Sequence, residues 1–259
     1  MRKASEWFGV GRTEIGHVRP SNQDAFAVLN ECGVWIVADG MGGHPGGDIA
    51  AKIAVEVGAE RARAQVDALR RHPDKVAAIV KELVVTANQR IHDKGQQQPA
   101  LNGMGTTVVT LAILSAPTPI AYLAHLGDSR AYLYRGEQLT QLTSDHTLVE
   151  QLVQQGVIDA AAAKTHPKRH VLTKGLGMGL DMMPEQSSTL LTVNDLLVLC
   201  SDGLTKMLDD ADIALSLSRA QGNVYRACQN LIDEALGRGG EDNVTVIVCG
   251  ARGASVAGT

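Results

Sequence analysis

One pattern constrains this chain more than any other. An apolar run of strand length meets an aspartate beside glycine, serine or asparagine, and it does so four times. "VWIVADG" ends in Asp39, "LAHLGDS" in Asp128 and "LLVLCSDG" in Asp202, while "GRGGEDNVTVIV" carries Asp242 with the apolar strand following it. Any one of these acids reads as the cap of a tight turn. Four at the ends of buried strands, facing one cleft, would repel one another unless a cation neutralised them. Carboxylate, carbonyl and water oxygens select Mg²⁺ or Mn²⁺, and no His/Cys spacing here suits zinc. Two such ions about 4 Å apart can hold a bridging water, lower its pKa and leave a hydroxide to attack a phosphoryl group.

The stretch after Asp39, "GMGGHPGG", puts five glycines into eight residues. It is not a dinucleotide fingerprint, because the third glycine of G-x-G-x-x-G would fall at Pro45. It lacks the Lys-Ser/Thr of a phosphate-binding P-loop and the alternating acids of an EF-hand. What it offers is backbone with no side chain to block close approach.

Around these acids the chain reads as α+β. Strands are predicted at 7–16, 24–29 and 33–38. The spacing of Ile49, Ile53 and Val57 gives one helix, and the stripe from Val76 to Ile91 a second, with Pro73 at its start and a loop over "KGQQQPALNG". Residues 105–143 read as a four-strand meander in which Tyr132 and Tyr134 share one side. A short helix ends at Gly156, and 156–180 reads as irregular. A buried strand over "LLVLC", helices near 209–219 and 223–236, and a strand over "NVTVIVCG" complete the chain. This order favours an antiparallel sheet core over a wound βαβ fold. A single domain over 1–252 and a loose tail at 253–259 are expected.

Composition narrows the class. With 259 residues, 44% of them apolar, the chain can bury one sizeable core. A net charge of −4 and the lack of basic runs give no sign of nucleic acid or of an anionic membrane surface. The longest apolar runs are far short of the roughly 18 residues of a spanning helix, and no signal peptide is legible. Cys32, Cys200, Cys228 and Cys249 form no C-x-x-C and read as buried free thiols. A cytoplasmic protein is expected.

Eight blocks in order carry a resemblance: "VRPSNQDAF", "VADGMGGHPGGDIA", "GMGTTVVTLAI", "AHLGDSRAYLYR", "LTSDHTLVEQLVQQGVI", "HPKRHVLTKGLG", "LLVLCSDGL" and "GGEDNVTVIV". The chain resembles the PP2C-type metal-dependent protein serine/threonine phosphatases in their compact bacterial form. That resemblance implies two antiparallel sheets packed as a sandwich, helices on both outer faces, and a metal cleft at one end. It implies two Mn²⁺ or Mg²⁺ ions and a weaker third. Asp39 is then the ligand shared by both metals, the Gly40 carbonyl a ligand of the second, and Asp202 and Asp242 ligands of the first. Asp128 helps hold the third ion together with Asp202, and Asp24 orients water from behind the metals. Gln23 stands where eukaryotic members often have Glu.

Arg19 corresponds to the phosphate-binding arginine, whose fork can grip two phosphate oxygens. His44 lies where the family's candidate general acid sits; its other reading is a turn histidine. Thr106 and Thr107 read as β-branched residues opening a strand, and Ser129 as a hydroxyl holding a turn. Residues 144–175 resemble the family's flap, with His146, His166 and His170 in or near it, as substrate contacts or as solvated side chains. Gly175 replaces a more usual alanine, which could loosen that flap. The resemblance further implies phosphorylated protein substrates, an opposing Ser/Thr kinase and a monomer. Two rivals remain: a catalytically inactive phosphoprotein-binding regulator, and a different metal hydrolase such as a nuclease, against which the missing basic groove counts.

Overall fold

The apolar runs become strands with almost no exposed residue, because each sheet is covered on both faces. In this computed structural model residues 6–41, 46–115 and 118–252 are described. The elements in chain order are β1 (Trp7–Glu14), β2 (Asp24–Leu29), β3 (Val34–Asp39), α1 (Gly47–Ala64), α2 (Val66–Arg71), α3 (Pro73–Gln97), β4 (Val108–Leu114), β5 (Ile120–Leu126), β6 (Arg130–Arg135), β7 (Gln138–Gln141), α4 (Leu148–Gln154), α5 (Ala160–Thr165), β8 (Glu185–Leu190), β9 (Leu196–Cys200), α6 (Asp202–Met207), α7 (Asp210–Ala220), α8 (Val224–Gly237) and β10 (Val244–Ala251).

The strands form two antiparallel sheets, ordered β1-β10-β9-β6-β7 and β2-β3-β4-β5-β8. Three apolar layers hold them. Trp35, Val37, Leu111, Leu123, Leu199 and Ile247 interdigitate between the sheets. Helices α1, α2 and α3 cover the outer face of the second sheet through Ala54, Ile79, Leu83 and Ile91. Helices α6, α7 and α8 cover the first sheet, where Tyr132 and Tyr134 share one face, through Leu204, Ile213, Leu217 and Leu231. The α+β class and the sandwich are as expected. Strands β4, β9 and β10 are buried on both faces, which is why they read as continuous apolar runs rather than alternating ones. All four cysteines are buried free thiols.

Several expectations need correction. The segment 105–143 is not one meander. β4 and β5 belong to the second sheet, and the chain crosses to the first at Gly127–Ser129 before β6 and β7. Gly127 makes the crossing possible: its φ is +106, and a Cβ there would press on Thr107. The helix α3 runs on through "KGQQ" to Gln97, and α2 precedes it as a separate short helix. The segment 156–180 holds α5, whose N-cap Asp159 accepts a hydrogen bond from the Ala162 N–H at 2.7 Å. The edge strand β8, "EQSSTL", was not predicted. It is almost wholly exposed and polar, so it lacks the alternation that marks a half-buried strand. The tail 253–259 lies outside the described residues.

Candidate active site

The strand-end acids meet at one mouth of the sandwich. Antiparallel pairing sets Asp24, the first residue of β2, directly opposite Asp39, the last of β3. Asp128 stands in the crossover between sheets, Asp202 opens α6 after β9, and Asp242 lies two residues before β10. Arg19, Asp39, Gly40, Asp128, Asp202 and Asp242 all line one cleft of about 390 Å³, flanked by apolar Met41, Val171, Leu172 and Met178. Asp24 stands behind this lining. His44 falls in 42–45, outside the described residues.

Backbone hydrogen bonds fix Asp39 in place. Its N–H donates to Thr107 Oγ1 at 3.1 Å, while its carbonyl accepts from the Thr107 N–H at 2.9 Å and Thr106 Oγ1 at 2.8 Å. Thr107 Oγ1 also lies 2.7 Å from Ser129 Oγ, linking the Asp39 strand end to the Asp128 turn. These threonines open a strand, as read, and they also hold an acid. Gly40 must be glycine, since a Cβ would run into the carbonyls of Gly47 and Gln23. Asn243 pins the neighbouring loop: its Oδ1 accepts from the Gln23 N–H at 2.8 Å and its Nδ2 donates to Ile15 and Ser21 carbonyls.

The charges are unevenly matched. Burial, reinforced by Asp24, Asp202 and Asp128, holds the Asp39 carboxyl well above the usual carboxylate range. Burial pushes Asp24 up to about 7, against the opposing hydrogen bonds from Thr245 Oγ1 at 2.6 Å and Ser201 Oγ at 2.7 Å. Burial, followed by the charges of Asp202 and Asp145, pushes Asp128 up to about 7. No Lys or Arg among the described residues lies within 4 Å of these three acids. Asp242 differs. Burial works to raise it, but Lys206 and Arg19 more than reverse that and hold it below its ordinary value. Lys206 Nζ stands 2.6 Å from both Asp202 Oδ2 and Asp242 Oδ2. Arg19 forks onto Asp242 through Nε and Nη2, both at 2.8 Å.

The donors fit divalent ions. They are hard oxygens, and among the described residues three of the acids lack a positive partner and the buried Oδ1 of Asp24 lacks a hydrogen-bond partner. The tightest convergence of ligand-type atoms among the described residues is elsewhere, at His125, His146 and Glu185. There the two imidazoles stack in parallel, 1° apart in plane with centroids at 4.7 Å, so one ion cannot lie in the plane of both rings. His146 Nδ1 accepts from the Gly127 N–H at 3.1 Å, which requires a neutral ring. Burial, then His125 and Lys174, accordingly lower its pKa to about 4. This group staples the turn that carries Asp128.

The segment 144–175 is tied at its base. The Thr173 N–H donates to the His146 carbonyl at 2.8 Å, and Leu148 N–H to Val171 O at 2.8 Å. Leu176 and Thr106 exchange backbone bonds at 2.8 and 3.1 Å. Gly175 sits beside this bridge, where a Cβ would run into the Met41 methyl, so its glycine makes room for packing. His170 lines the cleft, His146 is buried, and His166 is half-buried, its Nδ1 accepting from the Lys168 N–H.

The family described as protein phosphatase 2C matches this chain over residues 13–236. The chain belongs to the protein phosphatase 2C family. Membership makes it an enzyme of the protein serine/threonine phosphatase class. It is 36% identical over 238 residues to protein phosphatase PhpP of Streptococcus pneumoniae, covering 90% of this chain and 93% of that protein. Among solved structures, the serine/threonine phosphatase Stp1 of Staphylococcus aureus superposes with a TM-score of 0.87 at 29% identity, covering 98% of each chain. The catalytic domain of the phosphatase PstP, solved in complex with two manganese ions, superposes at 0.78 with 32% identity, covering 95% of this chain and 98% of its own. Among the described residues of this PP2C chain, no helix is long and apolar enough to cross a membrane.

Sequence reading missed three residues of the phosphatase cleft. Lys206 carried a usable signal, since it follows Asp202 by four residues at the start of a helix. The anchoring roles of Thr107 and Asn243 depend on partners 68 and 220 residues away, and no local signal carries them.

Proposed function

We propose that this phosphatase hydrolyses phosphoserine and phosphothreonine in proteins at the Asp39 cleft, without a covalent phosphoenzyme. The observation that carries the reading is the set of buried acids at one mouth of the sandwich, three of them with no positive partner among the described residues. Asp39 and the Gly40 carbonyl, with Asp202 and Asp242, would hold two Mn²⁺ or Mg²⁺ ions, and Asp128 with Asp202 a weaker third. Bound there, such ions supply a water acidic enough to yield the attacking hydroxide at neutral pH.

The chain's own residues do the rest. Asp24, steadied by the hydroxyls of Ser201 and Thr245, keeps one free oxygen to accept a proton from water. Arg19, with its side chain 41% exposed, can turn its fork from Asp242 to two phosphate oxygens. His44 is the candidate donor to the departing serine or threonine oxygen. Catalysis is then mainly positioning and charge stabilisation, as in other phosphoryl transfers. The phosphatase works as a single domain over 1–252, as a cytoplasmic monomer, and reverses the marks of a Ser/Thr kinase.

The test is Asp39→Asn assayed on a phosphothreonine peptide with Mn²⁺. Turnover should collapse while the circular dichroism spectrum stays native. Undiminished turnover would reject the assignment.

A further inference from the structure

The positive charge in the cleft is concentrated on one side. Lys206 Nζ bridges Asp202 Oδ2 and Asp242 Oδ2 at 2.6 Å each. The helix makes this contact: Lys206 stands one turn after Asp202 on α6, which folds its stem back over the strand-end acid. Its side chain is only 25% exposed, and those of Asp202 and Asp242 are 19% and 14% exposed. The three groups therefore meet out of bulk solvent, where charge pairs are weakly screened.

An ammonium at hydrogen-bond distance from two carboxylate oxygens fills the space between them. A divalent ion held by the same two carboxylates would need the space that the ammonium fills. The two cannot share the place. We propose that Lys206 is a tethered counter-ion that occupies the position between Asp202 and Asp242 in the metal-free protein and must withdraw for a divalent ion to bind there. The inference rests on the reading above, in which Asp202 and Asp242 are metal ligands.

Three consequences follow. Ion binding at this position is an exchange of cations rather than an addition. The metal-free cleft is partly neutralised on the Asp202–Asp242 side and left acidic on the Asp39 side. The lysine also sets a threshold, since an ion must outcompete an ammonium that cannot diffuse away.

Titration calorimetry of Mn²⁺ into chelator-stripped protein tests this with the wild type, Lys206→Met, Lys206→Gln and a control, Lys52→Met. Among the described residues Lys52 pairs only with Asp48, on the surface of α1, so its variant reports the generic effect of losing one positive charge. An adjacent opposite charge changes a carboxylate's proton affinity by about ten- to a thousandfold. Both Lys206 variants should therefore bind Mn²⁺ at least about tenfold more tightly, and the control within about twofold. Unchanged or weaker binding by both folded variants overturns the inference.

Should neither variant fold, the wild type answers alone. Acetylation of Lys206, followed by peptide mass spectrometry, should rise severalfold when Mg²⁺ is added. Reactivity indifferent to Mg²⁺ overturns the inference. Wild-type protein that binds no Mn²⁺ removes the metal reading along with it, whereas wild-type binding without a gain in the variants removes this inference alone.

Discussion

The two ends of β9 each carry a largely buried aspartate, and they are opposites. Asp195, just before the strand, is satisfied on every side. Its side chain is 1% exposed, and it accepts from Arg135 Nε at 2.9 Å, Arg135 Nη2 at 2.6 Å, the Thr192 N–H at 2.7 Å and Thr192 Oγ1 at 2.9 Å. Burial works to raise its carboxyl, but Arg135 and Thr192 prevail and hold it low. At the other end Asp202 faces Asp39 and Asp128, and burial with mutual repulsion holds those two high. Burial is common to both ends and does not separate structure from function. The supply of partners does: Asp195 is saturated by a guanidinium of its own, whereas Asp202 shares the one ammonium of Lys206 with Asp242 and faces two acids that no Lys or Arg among the described residues pairs.

The contrast can be broken most sharply by removing one acid of each kind, Asp39 from the cleft and Asp195 from the paired end. Asp39→Asn should cost at least about a hundredfold in phosphopeptide turnover. The melting temperature of the metal-free protein should hold or rise, since a repelling carboxyl is gone. Asp195→Ala should do the reverse: stability falls by about 2 kcal/mol, read by denaturant unfolding, while kcat per folded molecule is kept. A variant at Asp195 that folds normally but loses turnover would break the comparison.

The pH dependence of stability sharpens it. Asp24 and Asp128 hold their protons more tightly in the fold, at about 7, than at the ordinary 3.8. Their contribution is complete below the unfolded value and is lost as pH climbs through the folded one. The metal-free melting temperature should therefore fall by several degrees between about pH 4 and 7 from these groups, and saturating Mn²⁺ should flatten that decline. Asp195 acts in the opposite direction and in another window. Its carboxyl is held below 3.8, so its stabilisation is present above that value and is lost on acidification. A metal-free protein whose stability is level from pH 4 to 7 would count against the raised carboxyls.

The smallest expected effect is at Thr107. Thr107→Val removes the hydroxyl that accepts from Asp39 N–H and meets Ser129, while keeping a β-branched shape. Turnover should drop by about tenfold with at most about 1.5 kcal/mol lost in stability. An unchanged kcat would leave this residue with packing alone.

Much of the molecule was legible because its physics is local. Each buried central strand declares itself as an apolar run, and each run ends where an acid meets a turn, so Asp39, Asp128, Asp202 and Asp242 could be picked out and expected in one cleft. The sandwich itself came from resemblance. Nothing local says that the chain changes sheets at Gly127; that follows from how β4 pairs with β3 and β5 with β4 while β6 pairs with β9. β8 escaped because an exposed edge strand needs no apolar pattern. Lys206 was readable at helical spacing, yet a lysine four residues after an aspartate is usually a solvated pair. What makes it notable, the shared grip on Asp242, depends on a residue 36 positions away.

Arg135 has a further effect through its second contact. Besides holding Asp195, its Nη2 donates to the Leu190 carbonyl at 2.8 Å, and that residue ends a strand of the opposite sheet. The rear of the sandwich is thus pinned across its two leaves by the polypeptide itself. At the front, the leaves meet through Asp39 on one side and Asp202 and Asp242 on the other, a seam that divalent ions would close. The molecule is built like a clothes-peg with a fixed spring and jaws that an ion would hold shut. Stripping the ions should loosen amide protection at the front strand ends and leave the rear ones slow to exchange.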